Sequence, residues 1–214
     1  MTIDSQLDYW NRIGPTKTFA HPVNVEKLSR WVQADSRILD YGCGYGRALG
    51  ILQSKGYWNL VGMDPAPAMI DRACAEYPQI AFSVLNDFRE TGLPAATIDA
   101  VLLFAVLTSV PRSEDQIAIV AEITRVLQPG GVLYISDMLL QTDPRNVARY
   151  EQDQKKYGIY GVFDLSDGAT VRHHERQWID SLLRSYETLA FDEIEAQTMN
   201  SHPAIVFQWF GRRL

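Results

Sequence analysis

Three glycines spaced two apart, Gly42, Gly44 and Gly46, follow the apolar run Ile38-Leu39-Asp40-Tyr41, and an amphipathic stretch with Tyr45, Leu49 and Leu52 on one stripe follows at once. A strand turning through bare glycines into a helix lets a ligand lie against the main chain. Positions without side chains permit tight dihedrals and close approach, and the first helical amides point outward unpaired. A second short run, Leu60-Val61-Gly62-Met63-Asp64, ends in a carboxylate 22 positions after Gly42. A dinucleotide fold sets its ribose acceptor there, and the two oxygens of one carboxylate can take both ribose hydroxyls. The dinucleotide fingerprint nevertheless needs a glycine where this chain has Arg47. Asp40, two residues before the first glycine, disfavours a pyrophosphate and suits a ligand carrying an ammonium group. Cys43 reads as a small turn filler rather than a nucleophile.

The other groups able to move protons are four histidines, His21, His173, His174 and His202. Imidazole can take a phenol or imidazole proton near neutral pH. His173, His174 and His21 are the candidate bases, the first two ahead because the segment bearing them must return over the crevice. Turn and helix-cap roles are the alternative for each.

These residues need a scaffold, and the chain alternates short apolar strands with helical stretches, which identifies a doubly wound sheet. Residues 1–33 read as two short helices packing across the mouth of the sheet, with breaks at Gly14-Pro15 and His21-Pro22. Strands are expected at 59–63, 80–85, 98–104 and from Val132. Helices are expected up to Ser54, over 66–76, and over 114–127 with Ile117, Val120, Ala121, Thr124 and Leu127 on one stripe. Pro129-Gly130-Gly131 stops the last of these. Ile98 to Phe104 has the pattern of a strand buried on both faces. Periodicity breaks from Met138 to His174, and a long excursion at the C-terminal edge of a parallel sheet lies over the ligand crevice, so 139–174 is expected to be a lid or substrate-binding insertion. A helix over 175–186 follows, with Trp178, Leu182 and Tyr186 inward. Two strands, 191–199 and 204–211, are joined through Asn200-Ser201-His202-Pro203 and pair antiparallel. Tyr9, Trp10 and Phe19 in the cap, Tyr150, Tyr157 and Tyr160 in the lid, and His202 are the candidate substrate contacts; core anchoring is the alternative for the aromatics.

The motifs, taken in order, resemble those of class I S-adenosylmethionine-dependent methyltransferases of the small-molecule type. Asp40 to Gly46 resembles the first motif of that family, Gly62-Met63-Asp64 the second, Asn86-Asp87-Phe88 the adenine-reading segment, and Leu127-Gln128-Pro129-Gly130-Gly131 the turn before the fifth strand. The resemblance implies an α/β fold: a Rossmann-like seven-stranded mixed sheet ordered 3-2-1-4-5-7-6, with helices on both faces, an antiparallel last strand, an N-terminal helical cap and a lid after strand 5. It implies one methyltransferase domain over 1–214, with S-adenosyl-L-methionine as cofactor and S-adenosyl-L-homocysteine as product. Asp64 would hold the ribose and Asp87 the adenine amino group, with Phe88 alongside and Met63 flanking the purine. Asp40 would compensate the ammonium, sharing that load with the Phe104 carbonyl, and Gly42, Cys43 and Gly44 would form the cradle.

Composition narrows the acceptor. The chain has 214 residues, 46% of them hydrophobic, enough for one good-sized core without disulfides. A formal charge of -6, from 20 basic and 26 acidic residues, argues against a nucleic-acid partner. The fourth strand exits as Phe104-Ala105-Val106-Leu107-Thr108, without the Asn/Asp-Pro-Pro-Tyr element that in the family marks amino methylation of DNA bases and some protein amides. A small organic acceptor, methylated on oxygen or nitrogen, is the leading reading. The alternatives are a nicotinamide-dependent oxidoreductase and a methyltransferase-like binding subunit without turnover. Two cysteines make no disulfide framework or metal site, and no run is long enough to span a bilayer or reads as a signal peptide, so a cytoplasmic protein without a membrane partner is expected. A homodimer is compatible with the sequence and not specified by it.

Overall fold

The computed structural model describes residues 3–13, 16–19, 21–198 and 202–214. Nine strands are found among them: β1 (Ile38–Tyr41), β2 (Leu60–Asp64), β3 (Ala81–Val84), β4 (Ile98–Phe104), β5 (Leu127–Met138), β6 (Val162–Asp164), β7 (Thr170–Arg172), β8 (Tyr186–Gln197) and β9 (Pro203–Arg213). Seven form one sheet in the order β3-β2-β1-β4-β5-β9-β8, while β6 and β7 make a separate hairpin. Numbered among sheet strands alone, that is the expected 3-2-1-4-5-7-6. The first five strands are parallel, and β9 runs against β5 from Val132↔Arg212 to Met138↔Val206. The bend expected at Asn200-Ser201 lies outside the described residues; on either side of it the Thr198 amide donates to the His202 carbonyl at 2.8 Å.

The helices are α1 (Ile3–Ile13), α2 (Val25–Leu28), α3 (Arg47–Ser54), α4 (Pro67–Glu76), α5 (Ser113–Val126), α6 (Pro144–Tyr157) and α7 (Arg176–Leu182). Alternation along the middle strands sends Leu39, Val101, Leu103, Leu133 and Ile135 into one core with α5 and α7. Ile38, Ala100, Leu102, Val132 and Tyr134 enter the opposite core with α3. Such double burial accounts for strands without polar alternation. Their tips, where the parallel strands end, are left for the site.

Several expectations shift. Tyr45 is not on the stripe of α3, because Gly46 is left-handed (φ 78°) and the helix starts after it. Tyr45 instead stacks on Phe19, ring centroids 5.4 Å apart, and joins the glycine turn to the N-terminal cap. In α5 the inward stripe is Ile119, Val120, Ile123 and Val126, while Ile117 is 53% exposed. Two polar residues explain the changed phase. Gln116 is buried with its amide shared among the carbonyls of Leu107 and Val110 and His174 Nε2, and Glu122 is buried accepting from the Thr91 amide and hydroxyl. α7 is shorter than 175–186, and β8 begins already at Tyr186. The lid is not irregular throughout. Asp143 caps α6 by accepting from the Asn146 amide, Pro144 takes the first position where no amide is needed, and Gly158 closes the helix at φ 70°. No helix among the described residues is long and apolar enough to cross a membrane.

Candidate functional site

The glycine turn is latched to the strand beside it. The amides of Gly42 and Cys43 both donate to the Met63 carbonyl, at 2.7 and 3.0 Å. Gly42 and Gly44 are left-handed, at φ 73° and 53°. A Cβ on Gly42 would lie 2.5 Å from Val106 Cγ2 and one on Gly44 3.0 Å from Phe19 Cε2, so a side chain would both strain the turn and fill the space in front of it. Asp64 receives the Gly44 amide on Oδ2 at 2.9 Å and the Ala66 amide on Oδ1 at 2.8 Å. Each oxygen keeps a second acceptor direction. Burial pushes this carboxyl up to about 6, and the two amides pull against that rise. Asp40, behind the turn, is 2% exposed and takes no hydrogen bond among the described residues; burial raises it to about 7, against the pull of Arg47.

A cleft of about 360 Å³ runs from this turn across the strand tips to the lid. Gly42, Gly44, Asp64, Phe88 and Phe104 line its turn side, and Trp10, Phe19, His21, His173 and His202 also face it. Other residues singled out in the sequence stand behind this wall. Cys43 and Met63 are buried, and burial beside Asp64 drives the Cys43 thiol well above its ordinary value. Asp87 is exposed and accepts from the Arg89 amide at 2.9 Å, leaving its neighbour Asn86 to line the cleft.

The cap and lid tyrosines are structural in their contacts. Tyr9 donates to Asp167 at 3.0 Å, Tyr157 donates to Asp164 at 2.6 Å, and Tyr160 packs edge-on against Tyr150. Tyr150 is fully buried and belongs to a small core with Tyr9, Phe163, Ala169 and Val171. None of these four tyrosines lines the cleft.

The histidines separate in the same way. His174 is fully buried, with Nδ1 3.0 Å from the Met138 carbonyl and Nε2 2.9 Å from the Gln116 amide, so both ring nitrogens are spent within the scaffold. His21 reaches Ser136 Oγ at 3.2 Å, and burial lowers it to about 4. His173 places Nδ1 2.6 Å from the Tyr150 hydroxyl, which also accepts the Gln141 amide at 3.1 Å. Its Nε2 has no partner among the described residues and is not sealed off, so it opens on the cleft. Burial, with His174 and Arg149 nearby, drives this imidazole down to about 3, so it is neutral at pH 7.

Sequence reasoning passed over several residues of the wall. Gln6 pins α1 across the cleft mouth, donating to the carbonyls of Thr170 and Ser109. Arg145 and Asn146 face the cleft from α6 beside Arg149. The signal for Arg145 was present: Asp143-Pro144 starts a helix, and that places Arg145 one turn before Arg149 on the same face. The adjoining ends of the β8–β9 hairpin also reach the cleft through Gln197, Thr198 and Pro203. Gln141 fastens them there by exchanging two hydrogen bonds with the Ile205 backbone, at 2.8 and 2.9 Å.

A sheet of this order with a reversed last strand, a glycine turn at the tip of β1 and a carboxylate at the tip of β2, all opening on one cleft, is the arrangement that the resemblance to class I S-adenosylmethionine-dependent methyltransferases implies. Comparison with known proteins agrees: residues 39–135 match the family model described as a methyltransferase domain, and the chain carries that domain. A probable S-adenosylmethionine-dependent methyltransferase of Mycolicibacterium smegmatis is 30% identical over 132 residues, 62% of this chain and 46% of that protein. A ubiquinone biosynthesis O-methyltransferase of Xanthomonas axonopodis pv. citri is 30% identical over 139 residues, 61% of this chain and 56% of the other. The chain spans about half the length of the curated relatives it matches. Among solved structures, a SAM-dependent methyltransferase from Methanosarcina mazei matches with a TM-score of 0.84 at 24% identity, over 90% of this chain and 98% of that one.

Proposed function

We propose that this protein transfers a methyl group from S-adenosylmethionine to an oxygen or nitrogen of a small organic acceptor. One observation carries the reading: the Gly42–Gly44 cradle and Asp64 open on the same cleft as His173. The residues fit the cofactor. Asp64 has free acceptor directions for two ribose hydroxyls, the glycine turn leaves room a Cβ would occupy, and Asp40 is a buried acid lacking a partner, as an ammonium group nearby would require. Asn86 faces the cleft where the adenine edge would lie, with Phe88 beside it; Asp87, Met63 and Cys43 would act from behind, and the Phe104 carbonyl would share the ammonium with Asp40. The bound cofactor supplies an electrophilic methyl on a sulfonium.

The chain's own part is orientation, exclusion of water and one proton transfer. Much of the rate in such a displacement comes from holding the acceptor's lone pair in line at contact distance. Trp10, Phe19 and Phe163 wall the acceptor side, and His202 closes it at the β8–β9 hairpin. His173, in the tautomer that carries its proton on Nδ1 beside the Tyr150 hydroxyl, would offer the Nε2 lone pair to a hydroxyl or N–H. Of the other two candidate bases, His21 also faces the cleft, whereas His174 has both ring nitrogens committed. Tyr9, Tyr150, Tyr157 and Tyr160 would act by shaping the lid.

The family match and the reversed last strand favour this reading over a nicotinamide oxidoreductase. Arg47, standing where that fingerprint needs a glycine, gives its guanidinium to the His21 carbonyl. Cys43 and Cys74 are both free thiols, which suits a reducing, cytoplasmic compartment. We take the acceptor as the partner, without nucleic acid or membrane, and treat 1–214 as one domain with a cap over 1–33 and a lid over 139–174.

Calorimetry tests the reading directly. The protein should take up S-adenosylmethionine and S-adenosylhomocysteine, and Asp64→Ala should weaken both sharply. Unchanged affinity in the variant, within about twofold, removes the ribose assignment; uptake of a nicotinamide cofactor instead overturns the function. Cofactor binding without turnover over a broad acceptor panel would favour a binding subunit.

A further inference from the structure

The lid side of the cleft is cationic in a way the methyl transfer itself does not use. Arg145 and Arg149 face it from consecutive turns of α6. Neither is ion-paired among the described residues. Arg149 is held rather than free to swing: its guanidinium carbon lies 4.1 Å from the centroid of Phe163, and one terminal nitrogen donates to Asn146 Oδ1. Asn146 is fixed in turn by Asp143, which accepts from both its amide and its side chain. That leaves Arg149 Nε buried with no partner among the described residues. A buried donor of this kind is destabilising unless an acceptor arrives.

The surroundings sharpen the point. The only carboxylate lining the cleft among the described residues is Asp64, on the glycine-turn side. Asp143, which acts on Arg149 through space, is committed to Asn146 as a helix cap. Phe163 also meets His173 edge-on, centroids 5.0 Å apart, so the guanidinium and the proton-accepting imidazole pack against one phenyl ring.

We infer that the acceptor is a carboxylate: a small, apolar-bodied hydroxy or amino acid whose carboxylate is gripped by Arg145 and Arg149, while a separate hydroxyl or N–H is presented to His173. This rests on the methyltransferase reading. The carboxylate is an anchor rather than the nucleophile, because pairing with guanidinium stabilises the anion and withdraws its lone pairs, and because a carboxylate at neutral pH has no proton to give His173. Neutralising the two arginines also relieves their opposition to a charged imidazole, so binding at the anchor makes His173 the stronger base.

Calorimetry on protein saturated with S-adenosylhomocysteine, against matched hydroxybenzoates, hydroxycinnamates and their carboxamides, tests this. The carboxylates should bind at least about tenfold tighter than the amides, with the ratio shrinking as salt rises. In Arg145→Gln, Arg149→Gln and the double variant the ratio should fall toward about twofold or less, and Arg149→Lys should keep part of it. Affinity for S-adenosylhomocysteine checks the fold of each variant. Failure of the wild-type protein to bind S-adenosylhomocysteine sinks the methyltransferase reading itself. If that product binds but no carboxylate does, or amides bind equally, or the preference survives in the double variant, the anchor alone is overturned.

Discussion

Asp64 is asked to hold the turn and the ligand with one carboxylate. Because burial raises it to about 6, it is charged at neutral pH and takes a proton as pH falls through that value. Asp40 does so one unit higher, near 7. Cofactor affinity should therefore decline below about pH 7 and more steeply below about pH 6, and Asp64→Asn should remove the lower limb while costing about 10- to 100-fold at pH 7.5, the worth of one or two charge-assisted bonds. An affinity independent of pH from 5 to 8 would contradict both assignments. For His173 the sign is opposite: at about 3 it stays neutral across this range, so its own titration puts no acid limb on the rate above about pH 4. His173→Asn should lower kcat by about 10²- to 10⁴-fold with cofactor affinity retained. Tyr150→Phe, which removes the hydroxyl orienting Nδ1, should lower kcat less, and loss of cofactor binding instead would make the pair a structural one.

At the scale of elements, α5 shows what pattern reading can reach. The glycine turn, the strands themselves and the reversed hairpin were legible, because glycine spacing and uninterrupted apolar runs state their constraint locally; the order of the strands came with the family resemblance. The phase of α5 was not, since its buried face includes Gln116 and Glu122, whose partners come from distant segments: Thr91, His174 and Trp178. The lid showed the same limit. Its aromatics were visible, but whether Tyr150 faces ligand or core depends on contacts with His173 and Gln141 that sequence spacing does not encode. Gln116→Leu tests the cost of that hidden wiring. Two carbonyls, His174 Nε2 and the Trp178 indole N–H, 2.6 Å from Gln116 Oε1, would lose a partner at once. Unfolding in urea should show a loss of about 2–4 kcal/mol. A loss under about 1 kcal/mol would mean that the network relaxes around the gap.

Across the whole molecule, buried acids and buried imidazoles oppose one another. Asp40, Asp64 and Asp137 are raised to about 7, 6 and 7 by burial, from 3.8. His21, His173 and His174 are lowered to about 4, 3 and 3, from 6.5. Between about pH 4.5 and 6 the folded state keeps carboxyl protons that the unfolded chain has lost, so this set makes stability fall as pH rises. The same folded state lacks the imidazole protons that the unfolded chain carries, so the second set makes stability rise. Three groups stand on each side and the slopes cancel, which predicts a nearly flat stability profile through this window. Removing one member unbalances it. His173→Asn should give stability that falls with pH by about 1.4 kcal/mol per unit, and Asp137→Asn stability that rises by a similar amount, whatever each substitution does to the baseline. Urea titrations at half-unit intervals separate slope from baseline. Parallel profiles for the three proteins would show that these buried groups titrate together with solvent rather than against it.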